Sequence, residues 1–165
     1  RADALDAFEK RLAYAQAHLD EPAICDRPPL RLLRPSLSEL SAADMESRRS
    51  LDAFIAAMPD TRISFARALA PKSEKHFRLC ADEAACAAWA LPLEHTAGLP
   101  SARCVRVIHR FACQPWDDEA VPEILACAQK AGHAVRVDGE LFGLHLASET
   151  SEGKVSLYAA VYLPI

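Results

Sequence analysis

The side chains in this 165-residue chain best suited to chemistry are six cysteines, Cys25, Cys80, Cys86, Cys104, Cys113 and Cys127, and six histidines, His18, His76, His95, His109, His133 and His145. Thiolates and imidazoles together bind zinc, and a thiol beside an imidazole base is a nucleophile. The spacing supports neither use. No Cys-x-x-Cys pair occurs, and the nearest mixed grouping, His76, Cys80 and Cys86, lacks the spacing of a structural zinc site, so no metal is expected.

An even number of cysteines spread along the chain fits disulfides in an oxidising compartment, with reduced core thiols in a cytosolic protein as the alternative. All six are therefore disulfide candidates without assigned partners. One pairing is excluded. Cys104 and Cys113 lie nine residues apart on a run that alternates like a strand, which places their Cα atoms roughly 30 Å apart with side chains on opposite faces, whereas a disulfide needs about 7 Å or less.

Other catalytic signatures are missing. The sequence has no G-x-S-x-G, no H-E-x-x-H, no EF-hand loop and no glycine-rich phosphate loop among its five glycines. No cofactor is expected, and the chain reads more as a binder than as an enzyme. His109 falls on the apolar face of its strand and reads as a hydrogen-bonded core residue. The run Asp117, Asp118, Glu119 reads as helix capping and dipole compensation in preference to a carboxylate pair.

The elements that position these groups follow from periodicity. Leu5, Phe8, Leu12, Ala15 and Leu19 recur at helical spacing, giving an amphipathic helix over 2–19 that packs on its own domain or continues from an upstream anchor. Residues 21–36 carry four prolines and read as an extended connector. Paired start signals, Ser36 with Glu39 and Ser41 with Asp44, precede a helix whose apolar face is Leu51, Phe54, Ile55 and Met58. Two short strands follow, near 62–69 and 75–80, then a helix capped by Asp82 and ended by Pro92. Residues 103–113 form the clearest strand, a helix ends at Gly132, and strands near 133–137, 140–147 and 154–163 close the chain, with Asp138-Gly139 as a hairpin turn.

Hairpin connections predict an α+β fold: a mainly antiparallel sheet of about five to six strands with three to four helices on one face or end. One domain of 1–165 is expected, with a helical part over 1–59 and the sheet within 60–165. Val105, Val107, Phe111, Val135, Val137, Phe142, Leu144, Leu146, Val155, Leu157, Val161 and Leu163 are assigned to the core. The opposite face then collects Arg106, Arg110, Arg136, His145, Tyr158 and Tyr162. Arg and Tyr are enriched in protein interfaces, and a local positive patch favours an acidic partner.

The net charge of −4 argues against general affinity for nucleic acid, and no apolar run is long enough to insert in a membrane. The expectation is an exported, periplasmic or cell-envelope protein of non-enzymatic function that recognises another protein, as an inhibitor, immunity-type factor or assembly component. A cytoplasmic location is the alternative. Two other functions fit: an extracytoplasmic sensor domain binding a small anionic ligand, and a Cys/His-dependent hydrolase.

Overall fold

The computed structural model describes residues 2–42, 45–70, 74–112 and 117–165; Cys113 and Asp44 fall outside them. The fold is α+β, with four α-helices against one antiparallel sheet of eight strands among the described residues. In chain order these are α1 (Ala2–Ala17), β1 (Ala23–Arg27), β2 (Leu30–Leu33), a 3-10 helix (Leu37–Ala42), α2 (Met45–Ala56), β3 (Arg62–Ala68), β4 (His76–Asp82), α3 (Glu83–Trp89), β5 (Thr96–Leu99), β6 (Ala102–Ala112), α4 (Ala120–Lys130), β7 (Glu140–Ser151) and β8 (Lys154–Pro164). The strand order across the sheet is β1-β6-β8-β7-β3-β4-β2-β5.

Eight strands exceed the five to six expected, because the proline-rich segment supplies β1 and β2, and β5 lies in a stretch read as loop. Pro28 and Pro29 fall between β1 and β2, where a missing N–H breaks no ladder. Residues 1–59 are therefore not a separate helical part, since they contribute two strands to the sheet. In the other direction, 133–137 form no strand. That segment touches the sheet through one backbone bond, Arg136 N–H to Pro164 O at 2.9 Å, and Asp138 turns the chain into β7 without a hairpin partner.

Local signals behave as their chemistry dictates. Glu39 reaches back to accept from the Ser36 N–H at 3.3 Å, one half of a capping box. Asp82 Oδ1 accepts from the Ala85 N–H at 2.8 Å to cap α3, which ends through Ala90 in left-handed conformation, before Pro92 is reached. Gly132, with φ of 84°, follows α4.

The two sheet faces bury different clusters. On one, α4 covers Val105, Val107, Phe111, Ala159, Val161 and Leu163 through Val121, Ile124 and Ala128. Further along the same face, Phe54 and Ala57 pack on Leu33, Leu79 and Ala81, joined by Ala85 and Leu91. On the other face α1 lays Leu12 and Ala15 on Ile108 and Tyr158, joined by Leu19 just after the helix, while Cys104, Phe142, Leu144 and Tyr162 form a separate apolar group. No described helix is long and apolar enough to cross a membrane.

Candidate functional site

Between the α4-covered part of the first face and the α2-covered part, neither helix reaches the sheet. The gap is a cavity of about 470 Å³ lined by Leu37, Met58, Ile63, Phe77, His145, Ser148 and Leu157. Phe77 and Leu157 border the α4 cluster, and Leu37 and Ile63 border the α2 cluster. Met58 is exposed at the rim, so the cavity opens to solvent. Five of the seven side chains are apolar, and the two polar ones are bonded to each other: His145 Nε2 and Ser148 Oγ are 2.9 Å apart.

A β-bulge builds this pair. On a regular strand, residues three apart point to opposite faces. The register of β7 against β8 pairs His145 with Ala159, then shifts, so that Ala147 faces Tyr158 and Ser148 faces Leu157. The extra residue rotates Ser148 onto the His145 face.

Burial lowers the pKa of His145 below the ordinary histidine value, and the charges of Arg62 and then Arg11 lower it further. The imidazole is therefore neutral at neutral pH. One ring nitrogen engages Ser148, and the other offers a ligand a donor or an acceptor according to tautomer.

Of the six residues expected on one binding face, Arg106, Arg110, Tyr158 and Tyr162 share a face, Arg106 opposite Tyr162 and Arg110 opposite Tyr158, whereas His145 does not join them and Arg136 lies outside the strands. Tyr158 is 3% exposed beneath α1, with its hydroxyl 3.4 Å from Glu149. Arg106 carries its guanidinium 5.5 Å from the Tyr14 ring of α1, and its Nε is buried without a hydrogen-bond partner. Tyr162 is buried in the apolar group on that face. Arg110 is exposed and donates to Ser156 Oγ at 3.0 Å, whereas Arg136 is exposed on the segment before β7. His145 lies on the opposite side of the sheet. The assumed alternation was correct along β6, but α1 covers the face left for solvent and 133–137 never joins the sheet.

The structure does unite Arg136 with Tyr162 at a second cavity of about 210 Å³, which also contains Arg27, Arg103, Cys104 and Glu140.

Cys25, Cys80, Cys86, Cys104 and Cys127 are free, and no hydrogen bond among the described residues joins a thiol to an imidazole. Burial pushes each of the five pKa values up, to about 12 for Cys80. His109 is 8% exposed, with Nδ1 3.5 Å from Asp20 Oδ1 and its ring edge-on to Phe111. Asp117 Oδ1 accepts from the Glu119 N–H at 3.1 Å before α4, whereas Asp118 binds Arg67 of β3. No described cluster of three or more His, Cys, Asp or Glu can hold a metal ion.

Two solved structures resemble the chain to different degrees. A hydrolase encoded by lin2189 from Listeria innocua superposes with a TM-score of 0.51, covering 95% of this chain and 97% of that one at 10% identity. A candidate bacterial transcription regulation protein from Staphylococcus aureus MU50 gives 0.43, covering 88% and 99%, also at 10% identity. The Listeria match shows a shared fold and nothing about activity. No protein-family model and no curated protein matches the sequence.

Sequence reasoning found His145 but missed Ser148, and it missed the cavity they line. The available signal was the loss of alternation after Leu146, where Ala147 follows directly and is fully buried. A broken alternation inside an otherwise regular strand marks a bulge, and bulges redirect side chains near sites.

Proposed function

We propose that this chain is a binding module for a small, mostly apolar molecule carrying one hydrogen-bonding group. The observation that carries the reading is the 470 Å³ cavity in which five apolar side chains surround the His145 and Ser148 pair. Ligand sites are typically about 300–1,000 Å³, apolar over most of their walls, with few polar groups fixing orientation. Here the apolar walls supply affinity and the neutral imidazole and hydroxyl supply direction. A neutral His145 also favours an uncharged ligand, because an anion would gain no ion pair there.

This reading keeps the non-enzymatic binding role expected from the sequence and changes the ligand from a protein or small anion to an apolar molecule. The protein-recognition reading rested on six residues, of which Tyr158 and Tyr162 are buried and His145 lies on the other face of the sheet. The hydrolase reading has one favourable observation, the serine hydroxyl within hydrogen-bond reach of a neutral imidazole. That pair would need oxyanion donors and an imidazole-orienting group to act.

The test is titration with N-phenyl-1-naphthylamine, a neutral apolar dye that fluoresces on burial. Saturable binding of one dye per chain, abolished in Ser148→Trp, which fills the cavity, is expected. Absence of saturable binding, or equal binding by that variant, would overturn the proposal. Release of product from p-nitrophenyl esters, lost in Ser148→Ala, would favour the hydrolase instead.

A further inference from the structure

A different pair of residues faces each other at the sheet edge. In the antiparallel register of β1 with β6, Cys25 lies directly opposite Cys104, flanked by Ala23 opposite Arg106 and Arg27 opposite Ala102. Directly opposed residues put their side chains on the same face with Cα atoms about 4.5–5.5 Å apart, inside the roughly 4.4–6.8 Å that a disulfide spans. Both thiols sit in one apolar group, and the Cys104 thiol donates to the carbonyl of Ala102, the residue opposite Arg27 of β1, at 3.4 Å. Cys104 also borders the second cavity, where Arg27, Arg103 and Arg136 outnumber Glu140, with Asp26 3.5 Å from Arg103.

We propose that Cys25 and Cys104 form a reversible disulfide by exchange with a small anionic disulfide, which reaches Cys104 through this basic cavity. The Cys104 thiolate attacks one sulfur of the external disulfide, forming a mixed disulfide and expelling a thiolate. The Cys25 thiolate then attacks the Cys104 sulfur, forming the internal bond and releasing the second external thiolate. Two electrons pass from the two protein thiols to the external disulfide, and the two thiol protons end on the released thiols. The bond fastens β1, an edge strand with β6 as its one neighbour, and closes a loop of about 80 residues.

The test treats the full chain with oxidised glutathione, which is anionic, and in parallel with neutral 2-hydroxyethyl disulfide, followed by non-reducing peptide mapping. Expected are the loss of two hydrogens, a Cys25–Cys104 linked peptide, and a melting temperature higher by about 5–10 °C. Cys25→Ser should instead accumulate glutathione on Cys104, having no thiol to resolve it. Arg136→Glu should slow oxidation by glutathione several-fold and leave the neutral reagent's rate unchanged. Intact thiols, a linkage to any other cysteine, or no adduct on Cys104 in Cys25→Ser would overturn the pair. Equal slowing of both reagents would overturn the cavity as the route.

Discussion

Ser148 Oγ meets His145 Nε2 at 2.9 Å because a bulge in β7 brings two residues three positions apart onto one face. Pairing with Ser148 and enclosure by Ile63, Phe77 and Leu157 fix the imidazole where water solvates it poorly. Its charged form is therefore disfavoured relative to the unfolded chain.

That relationship sets a pH dependence. The folded-state pKa of His145 lies below the ordinary 6.5, so between the two values the unfolded chain binds more protons than the folded one. The stabilisation from a neutral His145 is complete above about pH 6.5 and is lost as pH falls toward the depressed folded value. Urea denaturation of wild type and His145→Gln from pH 8 to pH 5 should show the wild type losing stability faster on acidification. Parallel curves would mean that His145 is no more buried than in the unfolded chain.

Gly143 is expected to be irreplaceable for a packing reason. It pairs with Phe65 across β7 and β3, and a Cβ at 143 would overlap the Phe65 ring, which is 3% exposed. Gly143→Ala should cost about 1–3 kcal/mol, the range for overpacked cores. Adding Phe65→Leu should recover part of that loss. A double mutant as unstable as the sum of the single changes would show that the clash is not with Phe65.

Thiol reactivity should be sharply uneven. Burial holds the Cys80 pKa at about 12, against an ordinary value of 9.0. At pH 8 its thiolate fraction is then about a thousandfold below that of an unperturbed thiol. Native protein treated with iodoacetamide should be alkylated first at the half-buried Cys25, Cys86 and Cys127, and at Cys80 only after denaturation. Early modification of Cys80 would show that the β4 region opens readily.

How far these features can be read from the sequence follows the range of the interactions behind them. Val105, Val107 and Phe111 alternate on a long strand next to the sheet edge, and all three are core. The Asp82 cap and the turn at Gly132 are equally local. Strand β1 gains its place from pairing with β6, some 80 residues away, and nothing within its five residues distinguishes it from an extended connector. Tyr158 reads as exposed until α1 is docked, since its burial depends on Leu12 and Ala15. The cavity is less legible still, because it is a gap between two helices on one sheet, and sequence patterns report what is covered.

Asp118 illustrates the same point and supplies the last prediction. Its position before α4 favours a capping role, yet Asp117 contacts the Glu119 N–H, and Asp118 Oδ1 lies 2.8 Å from Arg67 Nη1 and 3.3 Å from Lys75 Nζ. Arg67 is 6% exposed on the face that α4 covers, and its Nε donates to Ala68 O at 3.2 Å. Truncating one partner of such a pair leaves the other charge buried, which costs about 3–5 kcal/mol when both are fully enclosed. The Asp118 side chain is 32% exposed, so solvent screens part of the interaction and about 1–3 kcal/mol is expected for Asp118→Ala. Removing both charges should be milder. Arg67→Met with Asp118→Ala replaces the guanidinium by an apolar side chain of similar length among apolar neighbours, so the double variant should be more stable than Asp118→Ala alone. Urea denaturation of the wild type, both single variants and the double variant gives the coupling energy directly. If the double variant is no more stable than Asp118→Ala, the carboxylate does not hold Arg67 in place, and the link between α4 and β3 must lie in the apolar contacts of Val121 and Ile124.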